Sequence, residues 1–361
     1  MKQKFYSLKN ILAKNAQYNV IFGERSNGKT YAVLKHGIEQ NVKTGKQMAI
    51  VRRWGDDFKG KRGAVMFDAL VANDEIARLT NGEWTSVYYY ASRWYFCKYD
   101  EKDKRIVSEL PFAYGFSITA AEHDKSTSYP NITTVLFDEF LSRQGYVQDE
   151  FILFMNTLST IIRNRRDVTI FMLGNTVNKY CPYFAEMGLK HVKEMKPGSI
   201  DVYHYGESDL SVAVEYTKPN KQGKESDLYF AFDNPKLSMI TGGTWEIAIY
   251  PHLPERYTPG EVIFKYYIVF DNDTLECEIV NKHKYMFTYI HRKTTPIKDA
   301  ERKVVFSPDF SPYPNHHRKI NRPCDKVTEK IAWFLSNDKV YYSENEVGEI
   351  VMNYLKWCGK V

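Results

Sequence analysis

The chain has 361 residues, which is enough for two domains of ordinary size. Its composition, 43% hydrophobic and 26% charged, is that of a globular protein, and no apolar run approaches the ~20 residues of a membrane-spanning helix. The net charge of +6 corresponds to a pI near 8.7, whereas a dedicated nucleic-acid-binding domain usually has a pI above about 9. We therefore expect no membrane partner, and any nucleic-acid contact must come from local basic clusters.

The N-terminal segment and the cysteines indicate the compartment. The first fifteen residues, MKQKFYSLKNILAKN, have no signal-peptide h-region or cleavage site and predict an amphipathic helix. The five cysteines form no C-x-x-C pair, which excludes the usual zinc and disulfide frameworks. They are Cys97, Cys181, Cys277, Cys324 and Cys358. We expect reduced thiols in a cytosol.

The first apolar run, Tyr18 to Gly23, predicts a buried strand, and a helix-periodic segment starts at Gly28. Between them lies a match to G-x-x-x-x-G-K-[ST], the P-loop or Walker A motif. It reads Gly23-Glu24-Arg25-Ser26-Asn27-Gly28-Lys29-Thr30. The order of strand, glycine-rich loop and helix is the context that a P-loop requires, so we expect a nucleoside triphosphate here.

Each part of this loop has a chemical task in nucleotide binding. Backbone N–H groups from Glu24 to Lys29 would wrap the β-phosphate, and the following helix N-terminus adds its dipole. Lys29 would reach the β- and γ-phosphate oxygens, and the hydroxyl of Thr30 would ligate Mg²⁺. Arg25 has two interpretations, a contact to the γ-phosphate in the same chain or a loop residue that faces solvent.

A second strand, KQMAIVRRW, is followed by the loop GDDFKGKRG and a predicted helix from Ala64 to Arg78. The loop carries Lys59, Lys61 and Arg62, and a mobile basic loop of this kind can bind a phosphate backbone without reading bases. A solvated charged loop is the alternative. The next segment, from Ser86 to Thr119, is aromatic-rich and alternating, which predicts inserted antiparallel strands.

The apolar run TVLFDEF predicts a third buried strand that ends in two carboxylates. Asp138 corresponds to the Walker B acid that holds Mg²⁺ through water, and Glu139 is placed as the general base for the attacking water. The alternative is a solvated strand end. The segment lacks the D-x-x-G of a GTPase, and N-K-x-D is also missing, so Glu139 favours ATP hydrolysis.

A predicted helix from about Gln148 to Arg163 ends in an arginine cluster, Arg163, Arg165 and Arg166. One of them could be an arginine finger that reaches the nucleotide of a neighbouring subunit. The alternative is that they are cations placed favourably at a helix C-terminus. The next apolar strand, DVTIFMLGN, ends at Asn175, whose side chain either senses the γ-phosphate or holds a turn.

Alternating strands and helices predict an α/β fold, a P-loop NTPase of the ASCE type with a mostly parallel sheet, over residues 1–200. Residues 201–228 are predicted to be a linker because of the polar stretch YTKPNKQGKESD. Residues 229–361 contain strand-like runs, the first from Thr244 to Tyr250, and C-terminal helices. They predict a smaller α/β domain.

With these motifs in this order, the first ~200 residues resemble the DNA-packaging ATPases of small tailed phages, the phi29-like encapsidation proteins related to terminase large subunits. The loop arginine, VLFDEF and the strand ending in Asn175 carry the resemblance. It implies a homo-oligomeric ring, a pentamer, that uses ATP and Mg²⁺ to move double-stranded DNA through the portal of a procapsid. The location implied is the host cytoplasm, transiently at the portal vertex, and the use of a packaging RNA stays open.

The resemblance assigns roles to residues already singled out. It implies nucleotide contacts by Lys29 and Thr30, with Thr30 and Asp138 as the metal ligands. It implies catalytic roles for Lys29, Glu139 and Asn175, and a trans-acting finger at Arg163, Arg165 or Arg166. The loop with Lys59, Lys61 and Arg62 falls where a DNA-contacting pore loop is expected.

For residues 229–361 the resemblance implies an RNase H-like nuclease domain that has lost its activity. Asp271 would stand at the acid position of the first strand, with Asp273, Glu276 and Glu278 on the same hairpin. A two-metal nuclease needs several convergent carboxylates, and no partner strand supplies the rest. A docking or nucleic-acid-binding module is therefore favoured, to which the basic PNHHRK segment could contribute.

Two alternatives to a packaging ATPase stay open from the sequence. One is a terminase-type protein whose C-terminal endonuclease is active. The other is a non-viral P-loop ATPase that acts as a helicase or a switch.

Overall fold

The computed structural model describes residues 6–120, 128–142, 145–176, 178–206, 208–219, 248–283 and 285–359. The chain divides into two compact units, residues 1–143 with 149–246, and residues 144–148 with 247–361. Within the described residues, no helix combines the length and the apolar character needed to cross a bilayer.

The first unit is built on a 10-stranded sheet. Its strands are β1 (Tyr18–Gly23), β2 (Gln47–Arg52), β3 (Ser86–Tyr90), β4 (Arg93–Tyr99), β5 (Arg105–Val107), β6 (Ala113–Ser117), β7 (Ile132–Asp138), β8 (Thr169–Asn175), β9 (Ile200–His204) and β10 (Ser211–Tyr216). The order is β3-β4-β6-β2-β7-β8-β1-β10-β9, with β5 beside β4. The run from β6 to β10 is parallel, and the other pairs are antiparallel. The predicted α/β fold with a mostly parallel sheet is confirmed.

Seven helices of the first unit accompany this sheet among the described residues. They are α1 (Lys9–Leu12), α2 (Lys29–Thr44), α3 (Lys61–Ala64), α4 (Asp68–Ala72), α5 (Glu75–Leu79), α6 (Glu150–Ile162) and α7 (Pro182–Glu186). Helix α2 buries Val33, Leu34 and Ile38 in the same core cluster as strand residues of β1 and β2. The central strands β1, β2, β7 and β8 are mostly apolar and buried because both faces of a parallel sheet are covered.

Two helix predictions need correction. The helix predicted from Ala64 to Arg78 is broken into shorter pieces, because Asp74 adopts a φ of 54° and separates α4 from α5. The amphipathic helix predicted at the N-terminus is a single turn, α1, within the residues described there. The helix predicted from Gln148 to Arg163 is present as α6, with Arg163 as its C-cap in the left-handed region.

The first sheet extends past the predicted boundary at residue 200. Strand β10 pairs in parallel with β1 from Val212 to Tyr216, and β9 pairs with β10. The predicted linker over 201–228 is therefore wrong for its first part. Its remainder from residue 220, and the predicted strand at 244–250 up to residue 247, lie outside the described residues.

Among its described residues, the second unit contains a six-stranded sheet and two α-helices. Its elements are β11 (Val262–Phe270), β12 (Asp273–Lys282), β13 (Tyr285–Arg292), β14 (Val305–Phe306), β15 (His316–His317), α8 (Lys326–Ser336), β16 (Val340–Tyr342) and α9 (Asn345–Cys358). The order is β15-β14-β11-β12-β13-β16, with β11, β12 and β13 antiparallel and β14 parallel to β11. The β-meander expected for this half is present.

Asp271 does not stand on a strand of this meander. Asp271 and Asn272 form the tight turn between β11 and β12, with φ values of 53° and 69°. Two successive positive φ values are what a two-residue hairpin of type I′ requires, and Asp and Asn tolerate them. The expectation that Asp271 occupies the acid position of the first strand is therefore wrong.

Candidate active site

The carboxyl end of the parallel sheet gathers the residues that the sequence predicted. Gly23 at the end of β1 pairs with Asn175 at the end of β8, and Asp138 ends β7 on the other side of β8. Arg52 ends β2 beside β7. In an open α/β sheet, ligands bind outside the carboxyl ends of the strands.

The P-loop is held by Thr217, which directly follows the neighbouring strand β10. A Cβ atom at Gly23 would lie 2.1 Å from the Thr217 hydroxyl, so glycine is required at this close approach. The Asn27 amide donates to the same Thr217 hydroxyl at 2.9 Å. Gly28 has a φ of 89° and precedes the first helical residue, Lys29. The loop thus has a fixed shape, and it leads directly into the N-terminus of α2, the end of a helix that favours anions.

Lys29 is buried, and its ammonium group is turned back onto the loop. Nζ donates to the Glu24 carbonyl oxygen at 2.6 Å and to Asn27 Oδ1 at 3.2 Å. A longer contact of 3.5 Å joins it to Asn175 Oδ1. Burial lowers the pKa of Lys29 to about 8, against the opposing effect of the Asp138 carboxylate. Lys29 and Asn175, predicted from separate motifs, therefore meet in one cluster.

Thr30 and Asp138 form the oxygen pair that Mg²⁺ would need. Thr30 Oγ1 donates to both carboxylate oxygens of Asp138, at 3.2 and 3.3 Å. Burial raises the pKa of Asp138, and the Arg52 guanidinium opposes that shift. Hydroxyl and carboxylate oxygens are hard ligands of the kind Mg²⁺ prefers, so this donor set fits the predicted metal.

Arg52 joins the two predicted acids. One Nη atom lies 2.8 Å from Asp138 Oδ2, and the other lies 3.0 Å from Glu139 Oε2. The Glu139 side chain is 66% exposed, and its backbone has a φ of 61°, a conformation that is uncommon for a non-glycine residue. Arg52 was missed by sequence reasoning, although it ends a buried strand as Asp138 does.

A buried network fixes the backbone beyond the two acids. Arg53 makes a bidentate ion pair with Glu150 of α6, with N–O distances of 2.8 Å. The same guanidinium donates to the carbonyl oxygens of Glu139 and Phe140, at 3.3 and 2.9 Å. The Tyr183 hydroxyl donates to Glu150 at 2.9 Å. Sequence reasoning missed this network because its members lie far apart along the chain.

The other loop positions lie where the motif requires. Gly23 and Asn27 are buried, Glu24 and Gly28 are half-buried, and Arg25 and Ser26 are exposed. The exposed position of Arg25 leaves both of its interpretations open.

The arginine cluster lies at the opposite edge of the sheet. It precedes β8, so it lies at the amino ends of the parallel strands, about 20 Å from the P-loop for strands of seven residues. Arg165 donates to backbone oxygens of Ile132, Tyr129 and Ile161, at 2.6 to 3.2 Å. Arg163 is exposed, and the Arg166 side chain is 90% exposed. These arginines do not reach the P-loop of their own chain.

The predicted basic loop is a folded segment. Lys59, Lys61 and Arg62 are exposed, and Lys59 Nζ lies 2.7 Å from Asp56. The Trp94 indole donates to the Gly63 carbonyl oxygen at 2.9 Å, and the Tyr89 hydroxyl donates to the Phe58 carbonyl oxygen. The expectation of a mobile loop therefore needs correction, because two aromatic side chains hold its backbone. Its cations still point to solvent.

The sequence pattern and the fold together match a family of phage proteins. A sequence model of the podovirus DNA encapsidation protein (Gp16) family matches residues 1–81 and 106–241. The chain belongs to this family. The match includes the P-loop, Asp138, Glu139 and Asn175. It leaves out residues 82–105, which carry β3 and β4 of this encapsidation-family chain.

Curated relatives of this chain are DNA packaging proteins of Bacillus phages. The chain is 30% identical to that of phage B103 over 174 residues, which is 47% of this chain and 48% of the relative. It is 26% identical to that of phage phi29 over 189 residues, covering 51% and 50% of the two chains. The chain spans about half the length of the curated relatives it matches.

Two solved packaging motors share the fold along nearly the whole encapsidation-family chain. The Phi-28 gp11 DNA packaging motor aligns with a TM-score of 0.56 at 17% identity, over 100% of this chain and 99% of its own. The bacteriophage Phi-29 genome packaging motor assembly aligns with a TM-score of 0.55 at 19% identity, over 98% and 99%. At these identities the likeness supports the fold.

Proposed function

We propose that this chain is an Mg²⁺-dependent ATPase that drives viral double-stranded DNA into a procapsid. The observation that carries the proposal is the meeting of Lys29, Thr30 and Asp138 at the carboxyl edge of the sheet, with Glu139 next to them. The names of the relatives, DNA packaging proteins, supply the task. The portal of the procapsid and a homo-oligomeric ring, a pentamer, are the partners proposed with it.

The chain's own groups divide the work of hydrolysis. Lys29 and the loop N–H groups would bind and orient the phosphates, and Thr30 with Asp138 would hold Mg²⁺, which supplies charge neutralisation at the phosphoryl oxygens. Glu139 accepts a proton from the attacking water. The Arg53–Glu150 pair fixes the backbone that carries Glu139.

The decisive experiment separates nucleotide binding from turnover. Lys29→Ala should abolish nucleotide binding, because the phosphates lose their buried cation. Glu139→Gln should keep binding and stop hydrolysis, because the amide accepts no proton from water. Lys43→Ala, at an exposed position of α2, and Glu101→Gln, in an exposed turn, are the matched controls. Normal hydrolysis by Glu139→Gln would refute the assignment of the base.

The coupling to DNA needs its own measurement. ATP hydrolysis should rise when double-stranded DNA and procapsids are added together. Neutralising Lys59, Lys61 and Arg62 should reduce this stimulation and leave the basal rate unchanged, because their exposed side chains lie outside the phosphate site. A stimulation unaffected by these changes would remove the loop from the DNA path.

We also propose that the second unit is RNase H-like and has no nuclease activity. Lys265 Nζ lies 2.6 Å from Glu276 and 2.5 Å from Glu278, and Lys293 lies 3.1 Å from Glu276. These ammonium groups supply the charge that a metal ion would bring. Mg²⁺- or Mn²⁺-dependent nicking that is lost on changing Glu276 would favour the endonuclease alternative instead.

Family membership favours packaging over a non-viral helicase or switch.

A further inference from the structure

The antiparallel strands β3, β4 and β5 carry a surface that the proposed ATPase does not use. We call it the tyrosine face. Its members lie on one side of the strands, since Tyr88 pairs with Tyr95, Tyr90 with Arg93, and Tyr99 with Arg105. It consists of Tyr88, Tyr90, Arg93, Tyr95, Tyr99 and Arg105.

The other side of the same strands is anchored in the core. Trp94 and Phe96 are buried there, and Phe96 stacks on Phe112 with ring centroids 4.3 Å apart. Tyr89 packs on Trp94 at 5.0 Å. Residues alternate between the two faces of a strand, so this packing fixes the backbone that presents the tyrosine face.

Two of the four rings of the tyrosine face are exposed, and the other two, of Tyr88 and Tyr95, are half-buried beside them. Tyr90 is 64% exposed and Tyr99 is 51% exposed. The ring planes of Tyr88 and Tyr90 differ by 6°, and the Tyr88 and Tyr95 centroids are 6.3 Å apart. The Arg105 guanidinium lies over the rings of both Tyr88 and Tyr99, at 4.7 and 5.9 Å. A ligand would find the rings pre-arranged, which lowers the entropic cost of binding.

The charged side chains of the tyrosine face, Arg93 and Arg105, are both positive. Between residues 86 and 107, all of which are described, the acidic residues are Asp100, Glu101 and Asp103. They lie in the turn between β4 and β5, where Asp100 accepts hydrogen bonds from the turn backbone. The face itself therefore combines aromatic rings with two exposed arginines. This combination fits a partner with planar groups and negative charge.

We propose that the tyrosine face binds single-stranded nucleic acid. Bases stack on exposed aromatic rings in a sequence-tolerant way, while arginines contact phosphates or add cation–π interactions. A duplex keeps its bases stacked inside the helix, so it cannot use these rings. The face also lies mainly in residues 82–105, outside the matched part of the family. It therefore adds a contact to those proposed for the packaging reaction.

The test is binding of fluorescent single strands to the full chain, measured by anisotropy. Oligo-dT and oligo-U serve as probes, with a DNA duplex of the same length. Tyr88→Ala, Tyr90→Ala and Tyr99→Ala should each weaken single-strand binding about tenfold and leave duplex binding unchanged. Tyr→Phe at the same positions should retain binding, because the ring face is kept. Tyr285→Ala, at another exposed strand position, is the matched control.

The arginines and the nucleotide site provide independent readouts. Arg93→Gln and Arg105→Gln should each lower the salt dependence of single-strand binding, by about 0.7 in the logarithmic slope for each phosphate that the arginine no longer neutralises. Lys29→Ala should leave this binding intact, so the inference can hold even if the proposed ATPase fails. A preference for oligo-U over oligo-dT would point to RNA, and the reverse to DNA.

Two results would overturn the proposal. The first is single-strand binding that is equal in the wild type and all three Tyr→Ala variants. The second is self-association of the chain that disappears in these variants while no single strand binds, which would assign the face to a subunit interface.

Discussion

Lys29 makes the proposed nucleotide site sensitive to pH. Burial lowers its pKa to about 8 before any phosphate is bound. A bound triphosphate favours the charged ammonium and raises this pKa. Between pH ~8 and the higher pKa of the bound state, binding must therefore take up a proton, and nucleotide affinity falls as pH rises through this window.

Calorimetric titration with ADP in two buffers of different ionisation enthalpy measures this uptake. We expect up to about one proton per nucleotide at about pH 9 and almost none at about pH 6.5. Lys29→Arg should remove the uptake, because arginine stays protonated throughout this range. Uptake of the same size in a Lys29→Arg variant that still binds ADP would show that another group titrates.

Arg52 is expected to compete with divalent cations for the two acids. It supplies one positive charge to both Asp138 and Glu139. Arg52→Gln removes this charge, so Mn²⁺ should bind the nucleotide-free protein roughly tenfold more tightly, which corresponds to ~1.4 kcal/mol. Electron paramagnetic resonance of free Mn²⁺ measures the affinity. Arg166→Gln, at a side chain that is 90% exposed, should change nothing. If Arg52→Gln binds Mn²⁺ no more tightly than Arg166→Gln does, Arg52 does not compete with the metal ion for the two acids.

At the scale of single residues, the sequence predicts those site residues whose position follows from a local motif. Lys29, Thr30 and Asp138 are predicted together because parallel strands end at one edge. In the structure Thr30 donates a hydrogen bond to Asp138, and the Asp138 carboxylate influences the pKa of Lys29. The same rule applied to IVRRW would have indicated Arg52. The bond between Asn27 and Thr217 spans 190 positions and depends on a strand that the sequence pattern does not predict.

The Arg53–Glu150 pair links strand β2 to helix α6 and stabilises the first unit. Arg53→Met leaves a buried carboxylate without its cation, so the free energy of unfolding should fall by ~3–5 kcal/mol. Urea denaturation followed by circular dichroism gives this value. Lys59→Met removes a pair whose two side chains are 79% and 67% exposed, and should leave the free energy of unfolding almost unchanged, because water screens the pair.

A double variant tests whether burial of the lone charge causes the loss. Arg53→Met combined with Glu150→Leu should recover part of the stability, because no unpaired carboxylate is left in the core. If the double variant is as unstable as Arg53→Met alone, the loss of stability comes from the hydrogen bonds that Arg53 makes with the backbone oxygens of Glu139 and Phe140.

At the scale of elements, hydrophobic periodicity predicts the buried strands and α6. It fails to predict elements whose structure depends on pairing with a distant strand. The sequence pattern assigns strand β10 to a linker, because its short run SVAVEY stands between polar segments. Its pairing with β1 on one side and β9 on the other makes it an interior strand of the sheet. The pattern also predicts a mobile loop after β2. It cannot reveal the side chains that anchor this loop, because Tyr89 and Trp94 lie on a later hairpin.

For the whole molecule, the arginine cluster decides whether the site needs a neighbour. Arg163 and Arg166 are exposed at the amino edge of the sheet, away from the P-loop of their own chain, so either could act as a finger only on the site of a neighbouring subunit. Arg165 is occupied by backbone oxygens at the start of β7 and the end of α6. Arg165→Ala should therefore lower stability, and we propose Arg163 or Arg166 as the trans finger.

Complementation between two inactive variants tests this. Glu139→Gln has a defective site but intact arginines, and Arg163→Ala or Arg166→Ala has an intact site but lacks the proposed finger. Each alone should show little DNA-stimulated ATP hydrolysis. A one-to-one mixture assembled on procapsids should recover up to about a quarter of the wild-type rate, since half of the sites are intact and half of their neighbours carry the finger. If neither arginine variant is complemented, neither Arg163 nor Arg166 is a finger that acts between subunits.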